Sequence, residues 1–154
     1  MAQPLWLSLR DAGLRSADAL LELFNINTPP VDVADIARRL GVQLATDIWV
    51  PSGRLDATDP ANATIYVSPV DGAARQRFTI AHELGHLFLH DLGIMYRDYS
   101  GTPEEIQANR FAADLLVPWW MLDVAKKAVG RNPSELARLF QVSEQMMRIR
   151  MRLE

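Results

Sequence analysis

The stretch from about Gly72 to His90 constrains the fold of this chain more than any other part of its sequence. Helices that are apolar on nearly every side are usually buried in the centre of a domain. We therefore predict a central buried helix around which the remaining elements pack. The apolar residues that surround this helix are Phe78, Ile80, Ala81, Leu84, Leu87, Phe88 and Leu89.

The flanking segments predict an α+β fold in which helices pack on a small antiparallel sheet. Apolar residues at helical spacing, together with capping residues, indicate five further helices. They lie at about 8–25, 33–40, 102–117, 121–129 and 133–153, the last with a break near 141–143. Extended runs bounded by Gly and Pro turns indicate strands near 42–50, 54–57 and 64–68.

The chain shows no linker, internal repeat or low-complexity segment. We therefore expect residues 1–154 to form a single domain that includes the C-terminal helices at about 121–154. Cysteine is absent, which excludes disulfides, thiolate nucleophiles and cysteine metal sites. The longest apolar run, Leu115–Leu122, is too short to cross a membrane, and the N-terminus lacks the features of a secretory signal. These features predict a cytoplasmic protein without a membrane partner.

The central helix carries the motif HExxH, as His82-Glu83-Leu84-Gly85-His86. Histidines four residues apart lie one turn apart on the same helix face, so both imidazoles can bind one metal ion. Glu83 can then take a proton from a water molecule that the metal activates. Burying these polar groups on an apolar helix would be costly without a metal or hydrogen bonds. The motif predicts a zinc ion bound by His82 and His86, with Glu83 as the general base.

A catalytic zinc site needs a third protein ligand, and His90 is the remaining histidine. It follows His86 by four residues on the same helix, and three ligands in line along one helix would not converge on one ion. We therefore interpret His90 as a helix-end residue near the negative end of the helix dipole.

Glu105 is the candidate third ligand that the spacing brings forward. It lies near the start of the next helix and shares an inward face with Asn109. Its carboxylate could bind the metal, or it could complete a capping box with Thr102 at the helix start. The spacing does not decide between these two roles.

Segment 75–90 contains the HExxH motif, and segment 105–118 begins Glu-Ile-Gln-Ala-Asn-Arg-Phe-Ala-Ala-Asp. Together with segments 31–41, 136–143 and 148–153, they resemble the ImmA/IrrE family of metallo-endopeptidases over about 120 residues. The combination is much more specific than the HExxH motif alone.

This resemblance implies a zincin-like core of the minimal Glu-zincin type. It implies that His82, His86 and Glu105 bind zinc, that Glu83 is the base, and that Asn109 lies beside the ligands. Members of the family cleave helix-turn-helix repressors, which are often encoded beside them in mobile elements, including prophages, or in stress-response loci. The resemblance therefore implies a protein substrate of that kind and a role in the regulation of transcription.

The C-terminal region suggests another partner, which we weighed and set aside. Residues 124–154 contain seven Lys or Arg and three acidic residues, whereas residues 1–123 are net acidic. The segment 136–147 resembles the first two helices of a helix-turn-helix, but Gln141 occupies a turn position that usually holds Gly. The methionines that follow suit packing better than base contacts. We therefore do not predict direct binding to nucleic acid.

Two further hypotheses follow from the sequence. The strand at 64–68 directly precedes the motif-bearing helix, so its edge could align a peptide substrate as an added strand. The alternative to an enzyme is a binding module with a structural zinc site. Such a module would hold a transcription factor without cleaving it, or would act as one half of a toxin–antitoxin pair.

Overall fold

The structure is a computed structural model that describes residues 2–50, 53–96 and 101–152. No helix in these ranges is long and apolar enough to cross a membrane. The described residues form four strands, β1 (Gln43–Thr46), β2 (Gly53–Asp56), β3 (Thr64–Val67) and β4 (Ile94–Tyr96). They also form the helices α1 (Leu5–Asp11), α2 (Ala17–Leu23), α3 (Val33–Arg39), α4 (Ala73–Leu89), α5 (Pro103–Leu116), α6 (Trp119–Val129), α7 (Pro133–Phe140) and α8 (Glu144–Arg152).

The strands form one mixed sheet in the order β1-β3-β2-β4. The α+β class is confirmed, but the prediction of an antiparallel sheet is wrong for one of the three strand pairs. Strand β3 pairs with β2 and β2 pairs with β4 in antiparallel fashion, whereas β1 pairs with β3 in parallel. The parallel pair arises because the chain reverses direction twice, between β1 and β2 and again between β2 and β3, before β3 inserts beside β1.

The position of β3 also rules out the predicted role of its edge. Ile65 of β3 is opposite Leu44 of β1 on one side and opposite Leu55 of β2 on the other. Both hydrogen-bonding edges of β3 are therefore used within the sheet, and a peptide cannot add to it. Among the described strands, the sheet edges are β1 and β4.

The predicted helix at 8–25 is wrong as a single element, because the structure contains α1 and α2 there. The chain leaves α1 through Gly13, whose φ of +100° lies in a region that favours glycine. Ser16 then caps α2, since its hydroxyl accepts a hydrogen bond from the Ala19 amide. Ser8, where the predicted helix begins, lies inside α1.

The central helix is confirmed as α4, in which every residue from Thr79 to Phe88 is buried. It packs against α3 and α5 and against strands β2 and β3. Its C-terminal end is fixed by Arg10 of α1, whose guanidinium donates hydrogen bonds to the carbonyl oxygens of Leu87 and His90. A cation at this end also opposes the negative pole of the helix dipole.

The C-terminal helices are attached to the centre of the fold by two arginines. Arg77 of α4 donates a hydrogen bond to the carbonyl of Phe140 at the end of α7. Arg150 of α8 is buried, and it donates to the carbonyl of Val117 at 3.0 Å and to the carboxylate of Asp114 at 2.7 Å. These bonds hold α7 and α8 against the helices that carry the motif residues.

Helices α4 and α5 pack closely at Gly85, inside the HExxH motif. A Cβ atom at this position would lie 3.1 Å from both the Cα of Ala108 and the Cβ of Phe111. Such contacts are tighter than ordinary van der Waals packing, so a larger residue would require α5 to shift by a few tenths of an ångström. This packing brings α5 within reach of the histidines on α4.

We expect Gly85→Val to separate α4 from α5 and to reduce stability. Overpacking of a buried site costs about 1–3 kcal/mol, which urea unfolding monitored by circular dichroism can measure. The matched control is Ala73→Val, because Ala73 lies on the same helix but is exposed. Equal stability of the two variants would contradict the close packing at Gly85.

Candidate metal centre

Helix α4 places His82 and His86 one turn apart on a buried face. His82 is 0% exposed and His86 is 1% exposed. Their Nε2 atoms lie 3.2 Å apart, so both rings direct the same nitrogen toward one point. The pair therefore has the arrangement that the i, i+4 spacing predicts for two ligands of one ion.

Helix α5 brings Glu105 to the same point. One oxygen of its carboxylate lies 2.8 Å from Nε2 of His82, and the other lies 2.9 Å from Nε2 of His86. Thr102 caps the helix through its hydroxyl, which accepts from the Glu105 amide at 3.3 Å. The carboxylate of Glu105 thus reaches the histidines, and a side-chain hydroxyl supplies the cap.

The chemistry and spacing of these atoms fit a bound divalent cation. Two imidazole nitrogens and one carboxylate oxygen are typical zinc donors, and donors bound at about 2.0–2.1 Å to a tetrahedral ion lie roughly 3.3 Å apart. The observed separations of 2.8, 2.9 and 3.2 Å are close to that value. Over residues 2–50, 53–96 and 101–152, this trio forms the one cluster of His, Asp or Glu side chains suited to hold a metal.

Asn109 orients the first histidine of the motif. Its Oδ1 atom lies 2.8 Å from Nδ1 of His82, and an amide oxygen can only accept a hydrogen bond. Protonation of His82 on Nδ1 matches this contact and leaves Nε2, which faces His86 and Glu105, free to bind a metal ion. Contacts of this kind fix the ring orientation and the tautomer of metal-binding histidines.

Glu83 is fully buried beside His82 on α4 and lies outside the three-residue donor cluster. It differs in burial from Glu104, which is exposed on α5. The HExxH motif thus supplies a buried carboxylate in addition to two donors.

The segment from the end of α4 through α5 contains further acidic residues and tyrosines near the cluster in sequence. Asp114 forms an ion pair with Arg150 at 2.7 Å and is absent from the donor cluster. Tyr96 belongs to strand β4. Asp98 and Tyr99 lie outside the described residues.

His90 has a contact that the sequence analysis did not predict. Its Nδ1 atom lies 2.8 Å from Nδ1 of His86, and its Nε2 atom lies 2.8 Å from Oε1 of Gln107. The i, i+4 spacing between His86 and His90 was the signal available in the sequence. It was considered only as evidence for or against a third metal ligand.

A cleft of about 730 Å³ lies near His82, on the side of its Nδ1 atom. It is bounded by the first half of α4, by α5 and by α8, and sequence reasoning did not anticipate it. Phe78 and Asn109 line this cleft, and each also contacts His82, the former through rings whose centroids are 5.9 Å apart. His82, His86 and Glu105 do not line the cleft themselves, so these two contacts are what relate it to the donor cluster.

Comparison with known proteins identifies the class to which this fold and donor set belong. Residues 33–152 match the family model Peptidase_M78, described as the IrrE N-terminal-like domain. The chain belongs to this peptidase family, and the resemblance to ImmA/IrrE proteins is confirmed.

Two individual proteins show how the chain relates to that family. The radiation response metalloprotease IrrE of Deinococcus deserti is 35% identical across 67% of this chain and 41% of its own length. A solved structure of a Mycobacterium tuberculosis transcriptional regulator superposes with a TM-score of 0.60 at 20% identity. That comparison covers 91% of this chain and 44% of the other, and it shows a shared fold. The chain thus spans less than half the length of each relative.

Proposed function

We propose that this protein is a zinc-dependent endopeptidase. The observation that carries the proposal is the convergence of three buried donors, on His82, His86 and Glu105, beside the buried carboxylate of Glu83. Structural zinc sites generally have four protein ligands, whereas catalytic sites have three and keep one position open. The three-donor cluster supports the catalytic class.

In this proposal His82, His86 and Glu105 hold the ion. When bound, zinc supplies Lewis acidity toward the peptide carbonyl and toward the attacking water. The Glu83 carboxylate takes a proton from that water as the water oxygen forms a bond to the carbonyl carbon. It then delivers the proton to the amide nitrogen as the C–N bond breaks. Asn109 keeps His82 in the tautomer that the site requires.

We further propose that the peptide substrate lies in the cleft between α4, α5 and α8. The support is that Phe78 and Asn109 line this cleft and also contact His82. A peptide in the cleft would therefore contact two residues that touch the proposed ligand His82.

A bulky side chain in the cleft should obstruct the substrate without changing the metal site. Ala113 lines the cleft one turn after Asn109 on α5. We expect Ala113→Phe to lower kcat/KM roughly 5- to 150-fold, since a steric cost of about 1–3 kcal/mol corresponds to that range. Zinc content, measured in parallel, should stay at the parent value. Unchanged kcat/KM would contradict the placement of the substrate.

The substrate class that we propose is a helix-turn-helix transcriptional repressor. The support is the resemblance of segments 75–90 and 105–118 to ImmA/IrrE proteins, together with family membership. Such a substrate acts on DNA in the cytoplasm, so we propose that compartment for the peptidase. The test is incubation of the zinc-loaded protein with the repressor encoded by the adjacent gene. Two products whose masses sum to the repressor plus one water are expected, and they should disappear when a chelator is added.

The same incubation distinguishes the endopeptidase from the alternative function, which is a binding module with a structural metal. A module would form a stable complex with the repressor and leave its mass unchanged. The buried position of Glu83 beside a three-donor cluster favours the enzyme.

We also propose that residues 1–154 form one metallopeptidase domain. The support is a single cluster of buried apolar side chains that extends from Trp6 of α1 to Met147 of α8. The C-terminal helices contribute to this cluster through Leu136 and Phe140 as well.

A further inference from the structure

His90 connects the proposed metal ligand His86 to Gln107 on the neighbouring helix. Both hydrogen bonds of the imidazole measure 2.8 Å between heavy atoms, one to Nδ1 of His86 and one to Oε1 of Gln107. The backbone of His90 is held in place as well, because Arg10 donates a hydrogen bond to its carbonyl oxygen at 2.6 Å. The ring thus occupies a defined position at the end of α4.

The proton positions along the hydrogen bonds between His86, His90 and Gln107 follow from the chemistry of the Gln107 amide. The amide oxygen of Gln107 can only accept, so Nε2 of His90 must donate to it. A neutral imidazole that donates through Nε2 has a lone pair on Nδ1, which accepts a hydrogen bond from Nδ1–H of His86. His86 then carries its proton on Nδ1, and its Nε2 lone pair is directed toward His82 and Glu105.

The opposite orientation of the network gives a different result. If the amide group of Gln107 is rotated by 180°, its NH₂ group donates to Nε2 of His90. His90 would then donate from Nδ1 to His86, and His86 would carry its proton on Nε2. A protonated Nε2 cannot bind a metal ion. The direction of the Gln107–His90 hydrogen bond therefore decides whether His86 is ready to act as a ligand.

We propose that His90 and Gln107 are positioning residues that hold His86 in its metal-binding tautomer. The proposal rests on the proposed metal site, because it assigns these residues a role only through His86. It treats the two motif histidines alike, since Asn109 sets the tautomer of His82 and His90 sets that of His86. His90 itself is not a ligand, because it contacts the nitrogen of His86 that faces away from Glu105.

A pair of variants of nearly equal shape tests the hydrogen bond at His90. Asn at this position can place its Oδ1 atom where Nδ1 of His90 lies, so His90→Asn keeps the acceptor. His90→Leu removes the acceptor and keeps a similar volume. Loss of a residue that orients a metal-binding histidine usually weakens metal affinity about 10- to 100-fold. We expect that loss in His90→Leu and a smaller loss in His90→Asn, which keeps the acceptor for His86 but loses the contact with Gln107.

Zinc dissociation constants from competition with a chromophoric chelator give the readout. The melting temperatures of the metal-free variants are measured alongside, and we expect them to agree with each other. Equal zinc affinities in His90→Leu and His90→Asn would overturn the proposal while leaving the metal site intact. A parent protein that takes up no zinc would instead overturn the site, and the role of His90 with it.

A second measurement needs no substitution. The chain has three histidines, so two-bond proton–nitrogen correlation spectra of the zinc-loaded, ¹⁵N-labelled protein can be assigned ring by ring. We expect His90 to carry its proton on Nε2, and His86 to carry its proton on Nδ1. A His90 ring that is protonated on Nδ1 alone would overturn the proposed direction of the network.

Discussion

Glu83→Gln should abolish peptide hydrolysis while zinc remains bound. The amide keeps the size and polarity of the carboxylate but cannot take the proton from the attacking water. General acid–base catalysis contributes about 100- to 10,000-fold to such reactions, so we expect kcat to fall by at least the lower figure. Because Glu83 is not in the donor cluster, zinc content should remain near one ion per chain.

The control for this variant is Glu104→Gln, which makes the same chemical change at an exposed glutamate on α5. Its activity and zinc content should match those of the parent. Hydrolysis by Glu83→Gln at the parental rate would contradict the assignment of the base. Loss of zinc in Glu83→Gln would instead show that Glu83 contributes to metal binding.

Glu105→Ala should lose zinc almost completely, and His86→Ala should behave in the same way. Each change removes one of three donors from a buried cluster, and the remaining two cannot hold the ion against a chelator. Metal binding also contributes to folding stability, so in the presence of zinc each variant should melt at a lower temperature than the parent. Native mass spectrometry of the zinc-loaded variants measures the stoichiometry directly.

The competing role for Glu105 makes a different numerical prediction. If its carboxylate acted only at the helix start, Glu105→Ala would cost about 1 kcal/mol and leave zinc bound. The hydroxyl of Thr102 already accepts a hydrogen bond from the Glu105 amide, so most of the capping should survive the change. Full zinc retention with intact activity would refute the ligand assignment.

The sequence predicted the parts of the site that depend on local spacing. His82, Glu83 and His86 lie within five residues of one helix, and helical geometry alone brings the two imidazoles together. The role of Glu105, metal ligand or helix cap, could not be predicted in the same way, because it depends on how closely α5 approaches α4. That distance is set by Gly85 and Ala108, and no spacing within one helix encodes it.

The fold was predictable where one element has a strong pattern and less so where elements combine. The central helix followed from its apolar residues alone. The order of the strands did not, because β3 inserts between β1 and β2 through contacts between residues distant in sequence. Strand β4 was missed since its three residues are too few to show an alternating pattern.

His90 shows a limit of a different kind. Helix geometry argued only against a third ligand on the same helix, and it left His90 as a helix-end residue. In the structure the same i, i+4 spacing brings His90 to Nδ1 of His86, the nitrogen that does not face Glu105. This contact was not predicted, because spacing alone does not show that the two rings turn toward each other.

The most direct test of the metal centre is a crystal structure of the zinc-loaded protein with diffraction data on both sides of the zinc absorption edge. We predict one strong anomalous peak at about 2.0–2.2 Å from Nε2 of His82, Nε2 of His86 and a carboxylate oxygen of Glu105. The carboxylate of Glu83 should lie near the ion without binding it. A peak at other residues, or no peak in a protein that still cleaves its substrate, would contradict the account.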